Sequence, residues 1–515
     1  MRIDRLKLVD FKNLKDFKID FDESQPTTIV LGRNGSGKSN LIEALIEIFR
    51  DLEEGKVSGF PYEIEYLCHN HRIVVANDTK NKKRQGISVD GGGVSRSEFA
   101  AMLHEVLPKH IFAYYSGWNR RLETGFDRPT RKLYRDWLEH EDRDIPLRRL
   151  FYCRKEYSQL VLLGFFLSQS DSVKELLREY LSIDSFDSAL FVLKKPYWRE
   201  NKKPSDFERR TGDPRFWFAR GAFKHFLDRL WKSALAPILL DESVDRDIRR
   251  PPQSTERLYL YIKNLDQLKE LSGKDSPKEF FSLLESLFLC DLIDEVRVSV
   301  QHARAGRVRF EQLSEGEQQL LTVLGLMIFT QQDESLFLLD EPDTHLNPSW
   351  IYKYYDLLEE NFPKTHSQLL IATHNPLMIG SLRKNQVRLL TDGTAVEPED
   401  DPIGLSVDGL LQSELYGLRS TLPGEILEKL DARNELLAKD RRSHKEDAAL
   451  RTLSDELARL GIALTHPNPY FDRFAKALAR NPLFQKPELT QEESRRIAAE
   501  TDSLLAEILR EDQAK

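Results

Sequence analysis

The chain has 515 residues, of which 40% are hydrophobic, and its formal net charge is −8. This length predicts about two to four domains. The acidic balance excludes a broadly basic nucleic-acid-binding protein, so any contact with nucleic acid must use a local patch. The charged N-terminus is unlike a signal peptide, no apolar run is long enough to cross a bilayer, and the three cysteines lie far apart. We therefore expect a cytoplasmic protein with no membrane partner and no disulfide framework.

Three short strands are predicted at the start of the chain. Apolar residues recur at alternate positions from Ile3 to Phe11 and again over 17–21, and the polar residues between them predict a hairpin turn. The third strand is the buried run 27–31, which leads directly into a glycine-rich segment.

This glycine-rich segment fits G-x-x-x-x-G-K-[ST], the phosphate-binding loop. Its glycines let successive backbone N–H groups point at one phosphate site, Lys38 reaches the β- and γ-phosphates, and the hydroxyl of Ser39 ligates magnesium (Mg²⁺). The helix that follows directs its positive N-terminal end at the same anion. The loop therefore predicts binding of a nucleotide with Mg²⁺, through Gly32, Arg33, Asn34, Gly35, Ser36, Gly37, Lys38, Ser39 and Asn40.

Beyond the phosphate-binding loop, the spacing of apolar residues changes along the chain from strand-like to helical. Antiparallel strands are predicted between about 60 and 95, then a helix over 97–106 and a buried strand over 111–115. From about 120 to 300 the apolar residues follow helical spacing without a heptad repeat, which predicts a compact helical lobe and not a coiled-coil arm. Beyond 395 the pattern is again mostly helical, with an exposed helical pair over 425–460 and a last amphipathic helix over 492–509.

A second strong motif follows the apolar run 336–339. Its end delivers Asp340 and Glu341 to the face of the sheet where nucleotides bind. Asp340 can hold Mg²⁺, and Glu341 can polarise the attacking water as a general base. An acidic turn at the end of a strand is the plain alternative, and the phosphate-binding loop in the same chain argues against it.

Ser314 and Glu317 have the spacing of a capping box at a helix start, about 25 residues before the acidic pair. Alone this pattern indicates an ordinary helix, but its position resembles the signature segment of the ABC ATPases. That resemblance implies a head-to-head dimer that holds two ATP molecules at its interface. In each site, Lys38, Ser39, Asp340 and Glu341 of one chain would meet the signature residues of the other, which are Ser314, Gly316 and Glu317.

Two later segments agree with this resemblance, and one expected element is missing. Residues 343–348 look like the D-loop of the ABC family, and His374 occupies the place of the switch histidine that contacts the γ-phosphate in that family. The usual Mg²⁺-contacting glutamine after the strand 111–115 is absent, and Ser116 or Asn119 would have to replace it.

The nucleotide loop, the turn at Phe11-Lys12-Asn13-Leu14 and the split of the cassette resemble the SMC/RecF/OLD-like branch of ABC-type ATPases. Within that branch, 406–411 and 413–417 are similar to the PtuA ATPases of Septu and retron-associated anti-phage systems. OLD-type proteins carry a nuclease domain at this place that needs an Asp-x-Asp motif. None follows residue 395, so we expect no nuclease activity in this chain.

These observations predict an α/β protein with four segments. They are a first ATPase part over 1–117, a helical insertion over 118–302, a second ATPase part over 303–395 and a helical C-terminal region over 396–515. The predicted activity is ATP hydrolysis, with Lys38, Glu341 and His374 as catalytic residues.

Two functional classes stay open. The resemblance implies an ATPase that dimerises, or assembles further, and that regulates a separate HNH-type effector nuclease in anti-phage defence. The alternative is a RecF- or SMC-like head that acts on DNA itself. Basic runs at 80–84 and between 120 and 135 leave a contact with nucleic acid open, although such runs are usually solvated surface.

Overall fold

The computed structural model describes most of the chain, namely residues 1–78, 85–117, 120–127, 148–199, 202–244, 253–330, 334–362, 366–391, 393–439, 441–460, 492–493, 495–497, 499–501 and 503. The chain divides into two compact units. The first contains Met1–Val30, Gly35–Thr373 and Leu390–Ala395, and the second contains Leu31–Asn34, His374–Leu389 and Val396–Lys515. Among the described helices, none combines the length and apolar character that crossing a membrane requires.

The first sheet is antiparallel and belongs to the first unit. Its strand order is β2-β1-β4-β5-β6-β7. Alternate residues of β1 and β4 are buried, which is the pattern of strands that cover a core with one face. The predicted hairpin is confirmed, since β1 pairs with β2 in antiparallel register. The antiparallel strands predicted after residue 60 are confirmed by the pairing of β4 with β5. The strands are β1 (Arg2–Phe11), β2 (Leu14–Asp20), β4 (Tyr62–Cys68), β5 (His71–Asn77), β6 (Gln85–Val89) and β7 (Gly92–Gly93).

The second sheet is the seven-stranded core sheet, and all of its strands contribute residues to the first unit. Its order is β18-β17-β3-β16-β15-β8-β9, and the pairs from β3 to β9 are parallel. Every residue of β15 is buried, as expected of a parallel strand covered on both faces. The strands are β3 (Thr27–Gly32), β8 (His110–Tyr115), β9 (Leu150–Tyr152), β15 (Ser335–Asp340), β16 (Gln368–Ala372), β17 (Val387–Thr391) and β18 (Thr394–Val396).

The third sheet is antiparallel, with the order β11-β12-β10-β13-β14. It corrects the prediction for 118–302, because that insertion contains four long strands as well as helices. The apolar run within β10 is too short to distinguish a strand from a buried helix by periodicity alone. The strands are β10 (Ile183–Lys194), β11 (Leu235–Val244), β12 (Gln253–Ile262), β13 (Ile293–His302) and β14 (Gly306–Arg309). The predicted α/β class is confirmed.

Helices of the first unit cover these sheets. The helix predicted over 97–106 is divided into two short helices, α2 and α3. The helices are α1 (Lys38–Glu53), α2 (Arg96–Ala101), α3 (Leu103–Val106), α4 (Tyr157–Leu167), α5 (Asp171–Glu175), α6 (Asp206–Thr211), α7 (Lys224–Ser233), α8 (Leu265–Ser272), α9 (Pro277–Leu289), α10 (Glu315–Thr330) and α11 (Pro348–Glu360).

A close crossing packs helix α4 of the insertion against helix α10. A Cβ atom added at Gly325 of α10 would lie 2.2 Å from Cγ1 of Val161, and one added at Gly164 of α4 would lie 2.6 Å from Cζ of Phe329. Only glycine therefore allows these two backbones to approach so closely.

A buried ion pair also lies in the first unit. The guanidinium of Arg148 donates to Oε1 of Glu285 on α9, and the hydroxyl of Tyr157 donates to the same oxygen at 3.0 Å. Both charged side chains are almost fully buried. The ring of Phe151 lies 5.4 Å from the guanidinium carbon. The pair connects the segment before β9 with α9.

Helices dominate the described part of the second unit beyond residue 396. They are α12 (Val407–Gln412), α13 (Gly424–Ala438) and α14 (His444–Arg459). The predicted helical pair over 425–460 is confirmed, but most residues of α13 are half-buried and not exposed. An ion pair between Lys429 and Glu456 connects the two helices at 3.2 Å. The described residues of the predicted helix over 492–509 are helical, and the others lie outside the described residues.

Candidate active site

The phosphate-binding loop has the backbone that its sequence predicts. Gly35 and Gly37 have φ angles of 83° and 110°, in the left-handed region that favours glycine. Gly37 precedes the first residue of α1, so the N-terminus of this 16-residue helix lies at the loop. Strand, loop and helix therefore follow one another as a phosphate site requires.

The turn between β1 and β2 supports this loop. The side-chain amide of Asn13 donates to the carbonyl oxygen of Gly35 at 2.7 Å, and its oxygen accepts a hydrogen bond from Asn40. A Cβ atom at Gly37 would lie 2.6 Å from Cδ2 of Leu14. The sequence predicts this hairpin turn and its likeness to the family branch, but not its contact with the loop.

Lys38 lies close to the acidic pair. Its side chain is buried, and burial lowers its pKa while Glu341 and Asp340 act in the opposite direction. The lysine of α1 and the two carboxyl groups after β15 therefore form one charged cluster in the first unit, as the sequence predicts.

Asp340 is the most deeply buried acid of this cluster. Its exposed fraction is 0%, and neither carboxylate oxygen has a hydrogen-bond partner among the described residues. Burial raises its pKa to about 6, and the nearby hydroxyl of Ser39 and the charges of Lys38 and Arg121 oppose that shift. Two orphaned oxygens beside a hydroxyl are a donor set that suits Mg²⁺, which prefers oxygen ligands.

The energetic cost of this burial can be measured with Asp340→Asn. Because the folded-state pKa lies above the ordinary value of 3.8, the ionised carboxyl destabilises the fold above pH 6, and this penalty decreases as the pH falls from about 6 to about 4. The amide removes the charge, so we expect Asp340→Asn to raise the free energy of unfolding by roughly 1–3 kcal/mol at pH 7 in Mg²⁺-free buffer, while abolishing hydrolysis. Urea unfolding at pH 7 and pH 5 tests this, because the gain should shrink at pH 5. A loss of stability at pH 7 would contradict it.

Glu341 has a constrained backbone. Its φ angle is 52°, a conformation that is uncommon for a residue other than glycine. Its N–H donates to the carbonyl oxygen of Ala372 at 2.8 Å, and its own carbonyl oxygen accepts a hydrogen bond from the hydroxyl of Thr344 at 2.9 Å. These bonds fix the position from which the half-buried carboxylate projects.

Ser116 lies beside this acidic pair, at the place where the family glutamine is missing. Its N–H donates to the carbonyl oxygen of Asp340 at 3.3 Å, and its hydroxyl lies 3.0 Å from that of Thr344. Asn119, the other predicted substitute, lies outside the described residues. The sequence places Thr344 in the segment 343–348 but does not predict that it connects Ser116 to Glu341.

Arg121 adds a positive charge to the cluster. It forms an ion pair with Glu43 of α1, which also accepts a bond from Lys12. In the sequence Arg121 belongs to a basic run, but here it is bound to an acid, as is Arg120, whose guanidinium lies 2.7 Å from Glu123. The basic positions 80–84, 128, 131, 132 and 135 lie outside the described residues.

The signature segment has the predicted capping box. The backbone N–H of Ser314 donates to Oε2 of Glu317 at 2.7 Å, and the N–H of Glu317 donates to the hydroxyl oxygen of Ser314 at 3.3 Å. Ser314 is exposed at the N-terminus of α10. The capping box is thus confirmed, and a contact of Ser314 with a nucleotide stays a prediction.

The same helix is anchored to the D-loop of its own chain. A Cβ atom at Gly316 would lie 2.7 Å from the carbonyl oxygen of His345. The buried amide of Gln319 donates to the carbonyl oxygen of Pro342 and accepts the N–H of His345 at 3.2 Å. The sequence does not predict this role of Gln319, because its partner Pro342 lies 23 residues further along the chain.

Ser36 belongs to the first unit with the rest of the loop after Asn34, and the other predicted residues belong to the second unit. Gly32, Arg33 and Asn34 follow the buried part of β3 in the chain. His374 is exposed and begins the stretch His374–Leu389. Their contacts with nucleotide stay predictions.

Residues 111–380, just over half of the chain, match the family described as "AAA domain, putative AbiEii toxin, Type IV TA system". The chain belongs to this AAA-domain family. Residues 1–90, which include the phosphate-binding loop, match a second family, described as "AAA ATPase domain".

Individual proteins similar to this AAA-domain chain include two from bacterial systems. Septu protein PtuA of Bacillus mycoides (strain KBAB4) is 28% identical over 192 residues, which cover 34% of this chain and 27% of that protein. Retron Vc95 probable ATPase of Vibrio cholerae serotype O1 biovar El Tor is 22% identical over 455 residues, 80% of this chain and 78% of that protein. The match to the Bacillus relative thus spans little more than a quarter of its length. The predicted similarity to ATPases of Septu and retron-associated systems is confirmed.

Among solved structures, the SMC head domain from Thermotoga maritima matches 78% of this AAA-domain chain and 100% of that chain, at 14% identity and a TM-score of 0.33.

Proposed function

We propose that this chain hydrolyses ATP by in-line attack of water on the γ-phosphate. The observation that carries the proposal is the convergence of Lys38, Asp340 and Glu341, which lie at the end of a buried parallel sheet beside a helix N-terminus. Such a site achieves catalysis mainly by positioning the reactants and by stabilising the charge of the transition state.

Each residue has a distinct task in this mechanism. Lys38 binds the β- and γ-phosphates, and the backbone N–H groups of the loop hold the same oxygens. Ser39 and Asp340 would hold Mg²⁺, which neutralises charge on the phosphates when it is bound. Glu341 orients the attacking water and accepts its proton. Ser116 and Thr344 position the backbone of Glu341.

We propose further that each site is completed by a second copy of the chain. Ser314 is exposed at a helix N-terminus, which is a site suited to an anion. In a head-to-head dimer, Ser314, Gly316 and Glu317 would face the γ-phosphate held by the other copy, and His374 would contact it from the first copy. ATP would then close the dimer and hydrolysis would open it.

A mixing experiment tests this composite site. Lys38→Ala removes the residue that binds the phosphates, and Ser314→Arg blocks the signature of the same chain, so each variant alone should lose activity. In a mixed dimer, one site receives an intact loop from one chain and an intact signature from the other. We expect the mixture to recover ATP hydrolysis that neither variant shows. A mixture as inactive as its components would contradict the composite site but not the ATPase assignment.

The biological role that we propose is the control of a separate effector nuclease in anti-phage defence. It is supported by the similarity to proteins named for Septu and retron systems. An HNH-type nuclease is the expected effector. Co-purification from the native operon tests this role, because the effector should remain bound to the ATPase. Strong stimulation of the isolated chain by DNA would favour the alternative, a RecF- or SMC-like ATPase that acts on DNA.

A further inference from the structure

The third sheet has two edge strands, β11 and β14, which differ in how well they are protected against pairing with another strand. Edge strand β14 has four residues, and two of them are arginines. Edge strand β11 at the other side has ten residues, and no described strand pairs with its outer side. Natural proteins usually make edge strands short or charged, because an open edge invites another strand to pair with it.

The open part of β11 is also strongly apolar. Ile238, Leu239 and Leu240 are 51%, 61% and 47% exposed, and they follow one another in the strand. Since successive side chains point to opposite faces, both faces of this edge present aliphatic surface to solvent. A local irregularity at Ala236, which has a φ angle of 47°, and the adjacent Pro237 interrupt the strand before this point.

We propose that β11 pairs antiparallel with β11 of a second copy, about a two-fold axis at Leu239. In this register Leu239 faces the partner's Leu239, and Ile238 faces the partner's Leu240. The pair would cover about five residues from Pro237 to Asp241, which is an ordinary strand length.

The charges of the strand favour an antiparallel pair of two copies. Asp241 would lie opposite the partner's Pro237, and Glu242 opposite the partner's Ala236, so no like charges meet. A parallel pair in register would place Asp241 beside the partner's Asp241. An axis two residues further along the strand would do the same. An antiparallel pair about Leu239 therefore centres on the aliphatic run 238–240 and joins two copies without a contact between like charges.

This contact is independent of the proposed ATP-dependent dimer. It uses edge strand β11 of the third sheet, requires no nucleotide and includes no residue of the candidate active site. A chain with two such self-complementary interfaces forms even-numbered assemblies. Without nucleotide we expect the purified chain to have twice its monomer mass of 59.9 kDa, and Leu239→Lys to have the monomer mass. Light scattering after size-exclusion chromatography measures both.

Cysteine cross-linking tests the register itself. Leu239→Cys places two cysteines directly opposite each other across the axis, with Cα atoms about 4.5–5.5 Å apart, a separation that a disulfide can span. Asp241→Cys is the matched control, because its two copies would lie about 14 Å apart along the strands. The three native cysteines are buried and give a low background.

Under mild oxidation without nucleotide, we expect at least a tenfold faster disulfide dimer for Leu239→Cys than for Asp241→Cys. Equal rates, or no cross-link in either variant, would overturn the proposal. So would a wild-type chain that is monomeric without nucleotide, which is the result expected if β11 receives a strand from a different protein. Adding Ser314→Arg to Leu239→Cys should leave the rate of this cross-link unchanged, so a failure of the ATP-dependent dimer is distinguished from a failure of the β11 contact.

Discussion

Glu341→Gln is expected to lower the rate of ATP hydrolysis by roughly 10²–10⁴-fold, the usual contribution of a general base. Glutamine keeps the shape of the side chain but cannot accept the proton of the attacking water. The loop residues and Asp340 are unchanged, so ATP should still bind. If hydrolysis opens the head-to-head dimer, this variant should remain closed in the presence of ATP.

The measurement combines steady-state turnover with molecular mass in ATP and in ADP. It is best made in the Leu239→Lys background, which removes the proposed β11 contact and leaves only the ATP-dependent interface. Glu360→Gln, an exposed change of the same charge on α11, is the matched control and should behave as the parent chain. A Glu341→Gln variant that turns over ATP normally and stays monomeric in ATP would refute both the assigned base and the dimer.

Glu285→Ala is expected to destabilise the first unit by about 3–5 kcal/mol. The guanidinium of Arg148 would remain buried without the carboxylate that neutralises it, and the hydroxyl of Tyr157 would lose its acceptor. A charge left in a site of low dielectric costs far more than a lost contact on the surface. Denaturant unfolding of the whole chain, monitored for the transition that includes the first unit, measures the effect.

Two further variants test whether the stability lost in Glu285→Ala is due to the uncompensated buried charge or to altered packing. Tyr157→Phe removes one hydrogen bond and should cost only about 1 kcal/mol. The double change Arg148→Met with Glu285→Leu replaces the pair by apolar side chains of similar size and should recover most of the lost stability. If the double variant is as unstable as Glu285→Ala, the cause lies in packing and not in an uncompensated charge.

Much of the candidate site was predictable because its residues are close together in the sequence. The backbone of a phosphate-binding loop is dictated by glycines at fixed spacing, and the capping box of Ser314 and Glu317 requires only four consecutive residues. The acidic pair was predictable because an apolar run that ends in two carboxylates has few other interpretations beside such a loop.

The supporting contacts were not predictable, because they connect residues that are distant in the sequence. Asn13 holds the carbonyl of Gly35, Thr344 connects Ser116 to Glu341, and Gln319 binds the D-loop. Each of these is a common polar residue in an ordinary local context. Their roles depend on which loops the sheets bring together.

The strands of the insertion were also not predictable from short segments of sequence. Its aromatic and aliphatic residues recur at spacings that fit a helix, and helices α4 and α7 agree with the predicted helical lobe. Strands β10 to β13 were not predicted, since a strand in an antiparallel sheet is defined by its neighbours as much as by its own pattern.

The sequence by itself determined the nucleotide loop, the acidic pair, the signature box and the α/β class, because local backbone geometry and apolar periodicity are properties of short segments. Only the tertiary structure decided that Asp340 is buried with unpaired oxygens, that a turn of the first hairpin supports the loop, and that β11 is an open apolar edge. Burial, strand order and long-range hydrogen bonds arise when distant segments pack together, and no short segment contains that information.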